Sequence, residues 1–134
     1  MKFNLEVSAG NYHILSYQSG QISVVLMPDV KGAVASQQTL DKSLVIMPRE
    51  LVRDWPPQAF DDLDAAHFDM LSALQPELVL FGSGARLRFP SPALTANLLN
   101  QGIGVEVMDT AAACRTYNIL MNEGRWVAAA LLMI

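Results

Sequence analysis

The strongest constraint on the fold is an alternation of apolar runs and helical segments in the C-terminal part of the chain. Apolar runs at residues 77–81, 103–108 and 126–134 are separated by two segments whose ends carry helix boundary residues. Strands that are joined through helices pair in parallel by right-handed crossovers, because a right-twisted strand followed by a helix returns to the sheet only in that way. The order strand, helix, strand, helix, strand therefore predicts an α/β domain in which helices cover a sheet.

Local boundary signals place the two helices. Ser91 followed by Pro92 is typical of a helix start, and Gly102 is typical of the residue after a helix end. Either Asp109 or Thr110 caps the second helix, which is predicted to run to residue 123. The final apolar run could also be a helix, since its alanines and leucines have high helix propensity. A strand is favoured there, because a short apolar run directly after a glycine completes a further strand–helix–strand unit.

The first third of the chain is rich in β-forming residues. Runs at residues 12–17 and 22–27 flank a Ser-Gly-Gln turn at 19–21, which predicts a β-hairpin. A third short strand is predicted at residues 42–47. Residues 29–40 contain glycine, serine and glutamine, and they are predicted to form an exposed loop.

The middle of the chain is less regular. Residues 48–62 contain three prolines and are predicted to cross the molecule without regular structure. A helix is predicted to follow, because apolar residues recur with the spacing of one helical face. That face comprises Leu63, Ala66, Met70, Leu71 and Leu74. Residues 1–134 are thus expected to form a single layered α/β domain, with an N-terminal antiparallel hairpin and a mixed, largely parallel sheet covered by about three helices.

Composition and charge exclude several classes of function. Nine basic and thirteen acidic residues give a net charge of −4, and the basic residues are scattered, so a nucleic-acid interface is not expected. Cys114 is the only cysteine, which excludes an internal disulfide and fits a reducing compartment. The longest apolar run has nine residues, whereas a helix needs about 20 to span a bilayer. We therefore expect no transmembrane segment and a cytoplasmic location.

No set of residues has the pattern of an active site. Cys114 is the one candidate thiol nucleophile, but it would need a base, and His13 and His67 are the only histidines. Cys114 also recurs with Tyr117 and Met121 at the spacing of one helical face, which predicts a buried and inert thiol. Two histidines and one cysteine do not make a structural zinc site. We expect no catalytic residue, no metal and no cofactor.

One edge of the predicted sheet could still hold a ligand or a partner. Ligands of open parallel sheets bind outside the carboxyl ends of the strands, and the turns after residues 77–81 and 103–108 would share that edge if the two strands are neighbours. A polar face of the following helix would extend the edge. The candidate rim comprises Gly82, Ser83, Gly84, Asp109, Thr110, Arg115 and Asn118.

Each part of this rim also has a structural interpretation. The Gly-Ser-Gly turn lacks the third glycine of a dinucleotide fingerprint and the Gly-Lys-Ser/Thr of a phosphate-binding loop, so a tight turn with positive φ is the simpler explanation. Asp109 or Thr110 could simply cap a helix. Arg115 could form an ion pair with Asp109 or Glu106 rather than bind an anionic ligand.

Four segments together resemble a known family. They are PRELVRDW at residues 48–55, FGSGARLRFPSP at 81–92, GIGVEVMDTAAACRTYNIL at 102–120 and NEGRWVAAALLMI at 122–134. They are similar to the domain-of-unknown-function family that includes mitochondrial respiratory complex I assembly factor three and an adipogenesis-associated relative. The most specific part is the run from Met108 to Asn118 with Glu123-Gly124-Arg125 after it.

The resemblance implies a single α/β domain of a layered type, without an established catalytic activity or cofactor. Mitochondrial members act through protein partners as assembly factors for the NADH:ubiquinone oxidoreductase. Because no presequence precedes the domain, we expect a bacterial, cytoplasmic copy. The expected function is a non-enzymatic protein-interaction domain whose partners are respiratory complex subunits or assembly factors. The alternative is a binder of small anionic metabolites, or an enzyme, with a site near Gly82–Gly84 and Asp109; the oligomeric state stays open.

Overall fold

The computed structural model describes residues 10–29 and 32–134. Within this part of the chain there are eight strands, three α-helices and one 3-10 turn. The strands are β1 (Tyr12–Gln18), β2 (Gln21–Leu26), β3 (Ser36–Leu40), β4 (Leu44–Met47), β5 (Glu50–Val52), β6 (Leu78–Gly82), β7 (Gly104–Met108) and β8 (Val127–Leu131). The helices are α1 (Ala65–Ser72), α2 (Pro92–Asn100) and α3 (Thr110–Asn122), and the 3-10 turn is Phe60–Asp62. None of these helices is long and apolar enough to cross a bilayer.

A small antiparallel sheet is formed by β1, β2 and β3 in that order. The hairpin of β1 and β2 confirms the prediction for the first third of the chain. The prediction of a loop over residues 29–40 is wrong in its second half, because β3 pairs with β2 along its whole length. Most of β3 is exposed and polar, so it lacks the apolar alternation by which strands are found in a sequence. The Ser23 and Thr39 hydroxyls lie 2.9 Å apart and add to this pairing.

A larger mixed sheet has the strand order β5-β4-β8-β6-β7. The strands β8, β6 and β7 run parallel to one another, while β4 and β5 are added in antiparallel pairings. The last strand of the chain therefore lies in the middle of this sheet, and all its residues are buried. This confirms the strand at the C-terminal end, since a central strand covered on both faces is apolar throughout.

The mixed sheet separates two apolar layers. Leu80 of β6 packs with α3 and the small sheet on one face. Its neighbours Val79 and Phe81 pack with α1 and α2 on the opposite face, because successive side chains of a strand alternate between faces. The expected layered α/β domain, with helices on both sides of a mixed sheet, is confirmed.

The middle of the chain differs from the prediction in two places. Residues 48–62 contain the short strand β5 and the 3-10 turn rather than an irregular crossing alone. In α1 the predicted apolar face is wrong at Ala66, which is exposed, while Phe68 and Leu71 are fully buried. Phe68 decides which face turns inward, because its ring lies 6.1 Å from Trp55 and 5.4 Å from Phe81 between centroids. Ala66, two residues earlier, is rotated by roughly 200° about the helix axis.

Candidate functional site

The structure places the turn after β6 beside the start of α3. The strands β6 and β7 are parallel neighbours, with Gly82 opposite Met108. Beyond them, the Ser83 N–H donates to the Met108 carbonyl at 2.9 Å. The Thr110 N–H donates to the Gly84 carbonyl, also at 2.9 Å. Five of the candidate rim residues, Gly82 to Gly84 with Asp109 and Thr110, are therefore brought together at one edge of the sheet.

The buried hydroxyl of Thr110 fastens this edge. It accepts a hydrogen bond from the Gly84 N–H at 2.8 Å and donates one to the Leu132 carbonyl at 2.7 Å. One side chain thus joins the ends of β6 and β8 to the first turn of α3. Glycine is favoured at Gly82, because a Cβ there would lie 2.9 Å from both the Thr110 Oγ1 and the Leu131 Cδ2. Gly84 has a φ of +100°, so the predicted positive-φ turn is present there.

Asp109 has a structural role at this edge. It is the N-cap of α3, and its Oδ1 accepts a hydrogen bond from the Ala112 N–H at 2.8 Å. The cap satisfies one of the N–H groups that the first turn of a helix leaves without a partner. Asp109 therefore caps α3, as one of the two interpretations of this residue predicted.

Arg115 and Asn118 lie on the side of α3 that faces the small sheet, and their hydrogen bonds run to β1. The Asn118 Oδ1 accepts from the Ile14 N–H at 2.9 Å, and its Nδ2 donates to the Ile14 carbonyl at 2.8 Å. Asn118 therefore takes the place of a neighbouring strand beside β1. The exposed Arg115 donates from Nη1 to the Tyr17 hydroxyl at 2.7 Å, rather than pairing with Asp109 or Glu106.

Ser83 holds the segment that follows the glycine turn, residues 85–89, which we call the arm. The Ser83 hydroxyl donates to the Arg86 carbonyl at 2.6 Å and accepts from the Arg88 N–H at 3.0 Å. Ser83 itself is buried, so both hydrogen bonds run from the body of the domain to the arm. The backbone of the arm is thereby fixed although its residues are exposed.

A second attachment of the arm is made by the Arg88 side chain. Its guanidinium lies 4.0 Å from the centroid of the Phe60 ring, a cation–π geometry. The same group lies 3.3 Å from the Asp61 Oδ1. On either side of it, Leu87 and Phe89 are 54% and 70% exposed. Sequence reasoning missed these two apolar residues, although their position between arginines and prolines, outside any predicted strand or helix, was a usable signal.

Beside the arm is a shallow, open depression of about 270 Å³. It is lined by Gln58, Ala59, Phe60, Ser83, Gly84, Ala85, Arg86, Arg88, Leu132 and Met133. Of its two guanidinium groups, that of Arg88 is already paired with Asp61. Among the described residues, its lining includes no carboxylate, imidazole or thiol that could act as a base or a nucleophile.

The thiol of Cys114 is buried in the apolar layer beside α3. Burial raises its pKa from 9.0 to about 12, and Arg115 lowers it only in part. At neutral pH the sulfur is therefore a protonated thiol, which is a poor nucleophile. The structure confirms that Cys114 is buried, as predicted.

The fold places the protein in a class of α/β domains in which a three-stranded antiparallel sheet packs over a mixed sheet covered by helices. Hydrogen bonds hold the turns at the strand ends in place. The chain belongs to the family described as "Protein of unknown function (DUF498/DUF598)", whose model matches residues 16–132. This confirms the family resemblance.

Solved structures and characterised relatives agree with this membership. A crystal structure from Bordetella parapertussis has a TM-score of 0.79 and 35% identity, covering 96% of this chain and 100% of that one. A Bordetella pertussis structure described as a Mth938-like domain has a TM-score of 0.76 and 29% identity, covering 99% of this chain and 92% of that one. The human NADH dehydrogenase [ubiquinone] 1 alpha subcomplex assembly factor 3 is 38% identical over 122 residues, 89% of this chain and 65% of that protein.

The chain spans about half the length of several vertebrate relatives. The matched region is 56% of the cattle assembly factor 3 and 48% of the mouse protein. The similarity therefore concerns the domain that these proteins share with this chain.

Proposed function

We propose that the protein is a non-enzymatic interaction domain that aids the assembly of a membrane-bound NADH dehydrogenase complex. The observation that carries the proposal is its similarity, over 89% of its length, to a human protein named as an assembly factor of such a complex. An assembly factor that works by holding subunits needs a stable surface rather than a reactive centre. The partners would be subunits of the complex or other assembly factors.

The chemistry of the strand ends supports binding over catalysis. The hydroxyls of Ser83 and Thr110 each make two hydrogen bonds within the domain. The Asp109 carboxylate caps a helix. A general base or nucleophile must be able to approach a substrate, and these groups are committed to holding the fold. The arm, in contrast, is exposed and available to another molecule.

The proposal can be tested in the cells that make the protein. The gene would be deleted, and the NADH dehydrogenase complex would be followed by native gel electrophoresis with an in-gel activity stain. We expect less assembled complex and accumulation of its unassembled subunits, with restoration by the wild-type gene. Unchanged assembly, together with no NADH dehydrogenase subunit co-purifying with the tagged protein, would refute the proposal.

A further inference from the structure

We propose that Leu87 and Phe89, which we call the apolar knob, dock the protein into an apolar pocket bordered by a carboxylate on a subunit of the complex that it helps to assemble. This inference rests on the proposed function and adds to it the surface and the chemistry of the contact. It concerns the arm, and not the Gly82–Gly84 turn or the start of α3.

The apolar knob is exposed on a backbone that is already ordered. Ser83 binds the arm through the Arg86 carbonyl and the Arg88 N–H, and the Arg88 side chain rests on Phe60. A fixed segment loses less conformational freedom on binding than a mobile loop, so more of its contact energy becomes affinity. Exposed apolar residues on such a segment are therefore suited to a specific contact.

The composition of the arm matches the centre of protein interfaces. Single exposed apolar residues are common on protein surfaces and need no explanation. Here two stand on either side of one arginine, and aromatic residues and arginine are enriched at protein interfaces. By contrast, α2 and α3 each carry one strongly exposed large apolar residue, Leu99 and Ile119 respectively. They provide matched controls.

The charges of the arm indicate the chemistry of the partner. Arg88 is paired with Asp61, whereas Arg86 makes no ion pair with any residue in the described part of the chain. An exposed guanidinium next to apolar side chains complements a carboxylate at the margin of an apolar pocket. An anionic bilayer is disfavoured, because the net charge of the protein is −4 and Asp61 and Asp62 lie beside the arm's attachment.

Site-specific photo-crosslinking in the native cells tests the contact directly. A photoreactive phenylalanine analogue would replace Phe89 in one variant and Ile119 in the control variant of the full-length protein, and crosslinked proteins would be identified by mass spectrometry. We expect position 89, but not position 119, to crosslink to an identified NADH dehydrogenase subunit. Crosslinking only to lipid, or only to a second copy of this chain, would overturn the inference.

Surface substitutions provide an independent measurement. The double variant Leu87→Ser, Phe89→Ser and the variant Arg86→Glu would each be compared with Ile119→Ser for recovery of the subunit on the tagged protein. We expect recovery to fall at least tenfold for the double variant and severalfold for Arg86→Glu, with the control unchanged and all melting temperatures close to the wild type. Undiminished recovery by the arm variants would refute the docking surface while leaving the proposed function intact. If the wild-type protein recovers no subunit, the inference fails, and the proposed function fails with it only if deletion of the gene also leaves assembly unchanged.

Discussion

Replacing Thr110 by valine tests whether its hydroxyl fastens the strand ends. Valine has nearly the same shape, so the change removes two hydrogen bonds without opening a cavity. In the wild type, the buried Gly84 N–H and the Leu132 carbonyl lie 2.8 and 2.7 Å from the Thr110 oxygen. In the valine variant, both groups lose that partner. A buried polar group that loses its partner costs about 1–3 kcal/mol. Since two such groups lose their partner, we expect the free energy of unfolding to fall by about 2–6 kcal/mol.

Urea unfolding followed by tryptophan fluorescence measures this loss, because Trp55 is fully buried. With a typical slope of about 1–3 kcal/mol per molar urea, the midpoint should drop by about 1 M or more. The control is Thr110→Ser, which keeps the hydroxyl and loses one methyl group, at a cost of about 1 kcal/mol. If the valine variant were as stable as the serine variant, the hydroxyl would not be fastening the strand ends.

Three further predictions concern the same framework. Asn118→Ala should lower the free energy of unfolding by about 2–6 kcal/mol, because it removes the partner of both backbone groups of the buried Ile14. Hydrogen exchange at Ile14 should accelerate. As a control, Arg115→Ala, at an exposed residue of the same helix, should change stability by about 0.5 kcal/mol or less. Gly82→Ala should cost about 1–3 kcal/mol in thermal or urea unfolding, since its Cβ would crowd Thr110. The pKa of Cys114 is about 12 in the folded protein, whereas that of an ordinary thiol is 9.0. As the pH rises, the thiol of the unfolded chain therefore loses its proton before that of the folded protein. The free energy of unfolding should fall between about pH 9 and pH 12. Cys114→Ala should make that decline shallower, and wild-type thiol labelling at pH 8 should require urea.

The alternation of strands and helices after residue 77 was predictable because its signals are local. Apolar runs of strand length, the Ser91-Pro92 start of α2 and the Asp109 cap each act within a few residues. The position of β8 between β4 and β6 was not predictable in this way. Strand order is decided by which apolar faces can be covered together, and that depends on the whole chain.

The contacts that the sequence did not predict have physical causes of the same kind. The strand β3 is held mainly by backbone hydrogen bonds to β2 and carries polar side chains, so its sequence resembles that of a loop. Arg115 and Asn118 follow the polar spacing of a helix face, and the sequence gives no sign that this face meets β1. Asn118 is only 7% exposed and forms hydrogen bonds with both backbone groups of Ile14. This contact joins residues far apart in the chain, so the local sequence does not indicate it.

The polar groups of the strand ends make contacts here that differ from those of an open ligand site. In an open site, polar groups at the carboxyl ends of strands are left for the ligand. In this protein the Thr110 hydroxyl and the Asp109 carboxylate are used to fix α3 against the sheet. The Ser83 hydroxyl extends the same network outward to the arm. Hydrogen bonds at the strand ends thus hold in place the surface on which Leu87 and Phe89 are exposed, through which we propose that a partner is recognised.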